Sequence, residues 1–273
     1  VLRGGRLTKW KGKAASLSPS LGQLIASVSP VALGRALMVG ASKTATAAVL
    51  GGAGLIVTTS GASAACTGSG GVYTCSGTMG NGNGDLDITG TTNLLDVTVS
   101  PSTTFNVTSG DAFDLDSSAG ITFTNNNPEV TIAGAVDGIQ AANSGDGALS
   151  ITTTGTTTGT SGYGIDAYND ANGGLTINAA TTTGGNYGIK AYNKGSSALS
   201  ITTTGTTTGT TKYGIFAFNG YEYLGSVYGT SLTINAATTK GGDDGIFAKN
   251  IGTGALSITT TGTTTGTSGD GID

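Results

Sequence analysis

Five asparagines stand at a fixed place in a recurring hexapeptide. Gly-Ile-x-Ala-x-Asn ends at Asn143, Asn169, Asn193, Asn219 and Asn250, at intervals of 26, 24, 26 and 31 residues. A carboxamide carries two donors and an acceptor with two lone pairs. Repeated at this period, it suits a ladder in which each amide bonds those above and below it and satisfies nearby turn groups. Catalysis needs a group once, so repetition speaks for the ladder.

Aromatic residues at the intervening positions could do a different chemistry. With Ile, Ala and Asn on one side of a strand, the residues between them point out. One outward column reads Gln140, Asp166, Lys190, Phe216, Phe247, and the next reads Ala142, Tyr168, Tyr192, Phe218, Lys249. Tyr168, Tyr192 and Phe218 form an aromatic stripe, with Tyr221 and Tyr223 close behind. Such a stripe has two readings: cross-strand stacking that stabilises a sheet, or a ridge that binds sugars or a partner protein. Asp166 and Lys190 are placed as a surface ion pair on adjacent repeats.

Cys66 and Cys75 are the two cysteines, and Gly68, Gly70 and Gly71 lie between them. In an exported chain they read as one disulfide, worth on the order of 2–3 kcal/mol for so short a loop. They cannot hold zinc alone, and the chain has no His to help. No metal or cofactor site is expected. Asn81-Gly82-Asn83-Gly84-Asp85 touches the Gly/Asp-rich calcium pattern once, without paired glycines, and reads as a turn.

The elements that position these residues are short strands. Leu86-Asp87-Ile88, Leu95-Asp96-Val97, Phe113-Asp114-Leu115, Ile121-Thr122-Phe123 and Ile139-Gln140-Ala141 alternate apolar and polar residues, the signature of a strand with one buried face. Gly, Ser, Asn and Asp fill the gaps as turn residues. The segments fall into three columns. The first runs Leu86, Phe113, Ile139, Ile165, Ile189, Ile215, Ile246, Ile272, and the second runs Leu95, Ile121, Leu149, Leu175, Leu199, Leu232, Leu256. The third starts at Phe105 and Val130 and continues near Thr157, Ala180, Thr207, Ala237 and Thr264. Three strands per coil of about 25 residues predict an all-β, right-handed parallel β-helix solenoid, each strand about 4.8 Å from its equivalent one coil away.

A longer period lies on top. Ala148–Thr160 recurs letter for letter at 198–210 and 255–267, so a coil pair of 50 residues is followed by one of 57. The extra residues fall within Gly220–Gly229 and should leave the solenoid as a loop on one face. Near-identical copies are how a rod is lengthened.

Charge divides the chain. Residues 1–65 carry three Arg, four Lys and no acid, a formal +7; the remainder carries five Lys against sixteen acidic residues, −11. The basic front, the apolar run Ala45–Val57 and the small-residue tail with Ala62-Ser63-Ala64 read as an extended signal peptide cleaved near Cys66, here unstructured or helical. A membrane-spanning helix is the competing reading, for which about twenty apolar residues are wanted. The expected organisation is therefore a leader over 1–65, a disulfide-capped segment over 66–84 and repeats over 85–273. The acidic balance beyond residue 65 offers nothing to nucleic acid.

The long basic leader, Ala62-Ser63-Ala64-Ala65 before Cys66, Thr74-Cys75-Ser76-Gly77 and the Gly-Ile-x-Ala-x-Asn coils together resemble passenger domains of bacterial autotransporters (type V secretion). The resemblance implies export from a Gram-negative cell and display at the outer membrane, or release outside it. It also implies a C-terminal translocator β-barrel in the full-length chain, because Gly271-Ile272-Asp273 stops within a repeat unit. A non-catalytic adhesin or structural rod follows, with host or environmental glycans or surface proteins as partners. The alternative is a carbohydrate-active enzyme on a pectin-lyase-like β-helix. The Arg-base and Asp/His chemistries of such enzymes have no matching residues here, since all three Arg lie before residue 66 and His is absent. Only a carboxylate-only glycosidase stays open; Asp111, Asp114 and Asp116 make a carboxylate cluster, of which Asp114 and Asp116 are explained by period-two exposure in a strand.

Overall fold

The computed structural model describes residues 45–50, 54–59, 65–79, 86–91, 93–101, 104–170 and 172–273. The basic front of the leader, the Ala62-Ser63-Ala64 motif and Asn81–Asp85 lie outside them. All the described residues belong to one compact unit.

That unit is a parallel β-solenoid, and the described residues contain no helix. The five hexapeptide strands, with Leu86–Thr91 and Phe113–Ser117 before them, make one seven-stranded parallel sheet. Ile139, Ile165, Ile189, Ile215 and Ile246 are direct neighbours in it, and so are the five asparagines. The other two strands of each coil belong to a second sheet. There Leu95, Ile121, Leu149, Leu175, Leu199, Leu232 and Leu256 align.

The third column differs from the sequence expectation at three places. It runs Phe105, Ile132, Thr157, Thr182, Thr207, Thr239, Thr264, so Ile132, Thr182 and Thr239 replace Val130, Ala180 and Ala237. The corner before this column also varies in length. Between aligned neighbours, Thr153 to Thr156 spans one residue more than Ala179 to Thr181. Counting forward from Leu149 and Leu175 therefore loses register across the corner.

Side-chain alternation sends Ile, Leu, Ala and Thr inward and polar residues outward, which is why five-residue strands such as Ile189–Asn193 read buried, half-buried, buried along their length. The interior changes along the stack. Phe105, Phe113 and Phe123 pack edge-to-face in the early coils, with centroids 4.6 and 4.9 Å apart. Later coils fill the same space with Ile, Leu, Ala and Thr. A fully buried Leu or Ile side chain is worth about 1.5–3 kcal/mol, and each coil spends that burial on its two neighbours alone.

Antiparallel strands precede the stack. Ala65–Ser69 pairs with Val72–Ser76, placing Cys66 opposite Cys75, and the two form a disulfide. Val72–Cys75 then pairs in parallel with Asp96–Val99. Two stretches within the segment read as a leader are also strands. Ala45–Leu50 pairs antiparallel with Gly54–Thr59, which meets Thr67 and Gly68. Their Val, Ile and Thr content favours extended chain, and Gly51, Gly52 and Gly54 weaken a continuous helix.

Candidate functional site

The buried polar column is fully occupied by itself. Asn143 Nδ2 donates to Asn169 Oδ1 at 2.8 Å, Asn169 to Asn193 at 2.8 Å, Asn193 to Asn219 at 2.7 Å and Asn219 to Asn250 at 2.8 Å. The second Nδ2 hydrogen of Asn143, Asn169, Asn193 and Asn250 goes to the carbonyl four residues on, at Gly147, Gly173, Ser197 and Gly254. At Asn219 the insertion displaces that carbonyl, and Thr230 and Ser231 take its place. Ser117 holds the equivalent position one coil before Asn143.

The glycine of each hexapeptide has a steric reason. It faces the inward threonine of the third column. A Cβ added at Gly164, Gly188, Gly214 or Gly245 would come within 2.4–2.7 Å of Cγ2 of Thr182, Thr207, Thr239 or Thr264. The hydroxyls of these same threonines are buried without a hydrogen-bond partner.

Aromatic side chains cover the outer face of the Asn-bearing sheet over the later coils. Tyr168, Tyr192 and Phe218 align as neighbours. Tyr192 and Phe218 stack at 4.6 Å with planes 9° apart, and Tyr168 and Tyr192 stack at 5.9 Å. The rings therefore face one another along the stack and turn edges and hydroxyls outward. Lys194 lies over Tyr168 and Tyr192, and Lys249 lies over Phe218. A hydrogen bond with Tyr168 leads the causes that hold the Lys194 ammonium above its ordinary pKa. Tyr192 thus has a ring on each side, while Tyr168 and Phe218 each have one ring neighbour.

A second aromatic column escaped the sequence reading. Tyr163, Tyr187 and Tyr213 stand immediately before the hexapeptide glycine, with centroids 5.2 and 5.5 Å apart. Tyr213 also meets Phe216 and Phe247, and those two stack at 5.2 Å. The signal was present: three successive hexapeptides are preceded by Tyr. It is hidden when the alignment begins at the glycine.

The same column holds acids where it does not hold tyrosine. Asp111 Oδ1 accepts the Asp137 N–H at 2.7 Å, Asp137 Oδ1 accepts the Tyr163 N–H at 2.7 Å, and Asp244 Oδ1 accepts the Asp270 N–H at 2.7 Å. Asp137 is only 4% exposed. Burial pushes its pKa up to about 6, against the pull of the Tyr163 N–H, with Asp111 and Asp166 adding to the rise and Lys190 opposing it. Asp166 pairs with Lys190 at 3.1 Å, yet burial still leaves its carboxyl above the usual range. Lys190 also lies 4.7 Å from the Tyr163 ring centroid, so this pair is half-buried and packed rather than free in water.

Of the cluster Asp111, Asp114 and Asp116, Asp111 is engaged by the next coil. Asp114 and Asp116 point outward along Phe113–Ser117. Among the described residues no group of three or more His, Cys, Asp or Glu is placed to hold a metal ion.

The insertion is a two-stranded hairpin. Tyr221–Tyr223 pairs antiparallel with Ser226–Tyr228, and Tyr221 stacks on Tyr228 at 4.6 Å. Tyr223 is thus held near the turn, away from Tyr168, Tyr192 and Phe218 in the pairing pattern. Comparison with family models, with characterised proteins and with solved structures finds no match.

Proposed function

We propose that the chain is a non-catalytic, repeat-built rod that is exported and acts at or beyond the cell surface as an adhesin or structural passenger. The observation that carries this reading is the way length is made. A thirteen-residue segment is repeated without change and is stacked through parallel sheets in register. The asparagine ladder beside it serves the neighbouring coil rather than a reacting molecule. The Cys66–Cys75 disulfide suits an oxidising compartment, and the basic front with its small-residue tail suits a leader. The resemblance to autotransporter passengers gives the same direction, with a translocator barrel downstream and glycans or surface proteins as partners.

The test begins in the native cell. Protease shaving of intact cells should remove the repeat region, and N-terminal sequencing of the recovered protein should begin near Cys66. Purified protein should bind cells or extracellular matrix without turnover of neutral or acidic polysaccharides. Repeats that stay protected inside the cell would overturn the reading.

One observation favours a second reading. Asp137, Asp166, Lys190 and Tyr163 bring two raised carboxyls beside a cation, an arrangement also used in acid–base chemistry. Polysaccharide turnover lost on Asp166→Asn would establish that alternative. The Asp137 carboxylate already accepts a backbone N–H and is closed to solvent, which supports the structural role.

A further inference from the structure

The hairpin interrupts a chain that otherwise copies itself, and it exposes large apolar side chains at its turn and on the strand that leaves it. Tyr223 is 60% exposed, Leu224 88% and Val227 43%. Leu224 has φ +50° and Gly225 φ +78°, and Leu224 is the only non-glycine residue at positive φ among those described. Two central residues at positive φ make a primed turn, where Asn, Asp or Gly is the unstrained choice. A leucine there is costly to the fold and puts a large apolar group at the outermost point.

The stem holds the apex out. Tyr221 and Tyr228 stack across it, and Gly220 and Gly229 at its base pinch together. A Cβ at Gly220 would reach Tyr228 O, and one at Gly229 would lie 2.8 Å from the Gly220 Cα. The hairpin forms a sheet of its own with two strands.

We infer that this hairpin is a membrane-touching element whose apex enters the interfacial layer of an uncharged, zwitterionic lipid surface. Three features select that occupant. The apex is convex and small, so it cannot bury the roughly 1,200–2,000 Å² of a stable protein–protein interface, whereas a lipid surface needs no matching pocket. Tyr223 sets a ring with a polar hydroxyl beside the exposed Leu224, the pairing of side chains found at membrane–water interfaces. The hairpin's one charge is Glu222, with no Lys or Arg between Tyr221 and Tyr228, which disfavours anionic lipid.

The test uses the full chain with Ser226→Cys carrying a polarity-sensitive fluorophore, so that the signal reports on the turn and not on the apolar run near the N-terminus. Phosphatidylcholine vesicles should shift the emission to the blue and shield the probe from an aqueous quencher. Leu224→Asn in this background keeps the turn and relaxes its backbone, yet should weaken vesicle partitioning by about tenfold or more, the loss of one large apolar side chain from the contact. An unshifted probe, equal partitioning of the Asn variant, or a probe shift that appears without lipid as the protein self-associates would each overturn the inference.

Discussion

Gly188 and Thr207 contend for one space. A Cβ on Gly188 would lie 2.6 Å from Thr207 Cγ2 and 2.6 Å from the Gly214 carbonyl oxygen. Thr207 lies in the coil that Gly188 opens, and Gly214, met through its backbone, opens the next. Gly188→Ala should therefore destabilise the solenoid by about 1–3 kcal/mol, the usual cost of overpacking. Adding Thr207→Ser removes the methyl clash but not the carbonyl clash, so urea unfolding of the double variant should show partial recovery only.

Thr207 itself offers a gain. Its hydroxyl is buried without a partner, and an unmet buried polar group costs about 1–3 kcal/mol. Thr207→Val keeps the shape, including the methyl that faces Gly188. Thermal melts should rise, or at least hold level. A fall in stability would show that the hydroxyl has a partner after all.

Asn193→Ala should be costlier than Lys190→Ala. Asn193 donates to Asn219 and Ser197 and accepts from Asn169, so its loss leaves several buried groups unmet at about 1–3 kcal/mol each. Lys190 loses one half-buried pair with Asp166 and its place over Tyr163. Hydrogen exchange should quicken around residues 165–220 in Asn193→Ala and stay unchanged near Leu95. Equal effects at both sites would mean that the ladder holds nothing together.

Asp137 makes stability fall as pH rises. Its pKa is about 6 in the fold against an ordinary 3.8, so the folded chain binds the proton more readily than the unfolded chain. The contribution is complete below pH 3.8 and is lost as pH climbs through 6. Asp137→Asn keeps an oxygen for the Tyr163 N–H and removes the charge. Urea unfolding at pH 4.5 and 7.5 should show the variant more stable than wild type at 7.5, with that advantage shrinking at 4.5.

Tyr192 and Phe218 should couple. Their parallel stacking at 4.6 Å predicts about 0.5–1.5 kcal/mol in a double-mutant cycle through alanine. Zero coupling, with glycan binding lost in either single variant, would instead mark the stripe as a binding ridge.

Much of this architecture can be read from spacing alone, because the Ile-to-Asn distance is constant and the hexapeptide strand contains no corner. Asn143 to Asn250 and the outward Asp166 and Lys190 therefore fall into place by counting. The threonine column does not, because a corner of variable length separates it from the leucines. Tyr163, Tyr187 and Tyr213 were hidden by position rather than by type, being one residue outside the repeated word. The stacking of Tyr192 between Tyr168 and Phe218 depends on ring orientation, which no spacing encodes.

Each ladder amide donates in the same sense, from the earlier coil to the later, and the second hydrogen, given to a backbone carbonyl, fixes that sense. The amide dipoles consequently add along the axis instead of cancelling. Parallel stacking thus makes the solenoid an electrically directed object, with acceptor oxygens facing one end and donor nitrogens the other.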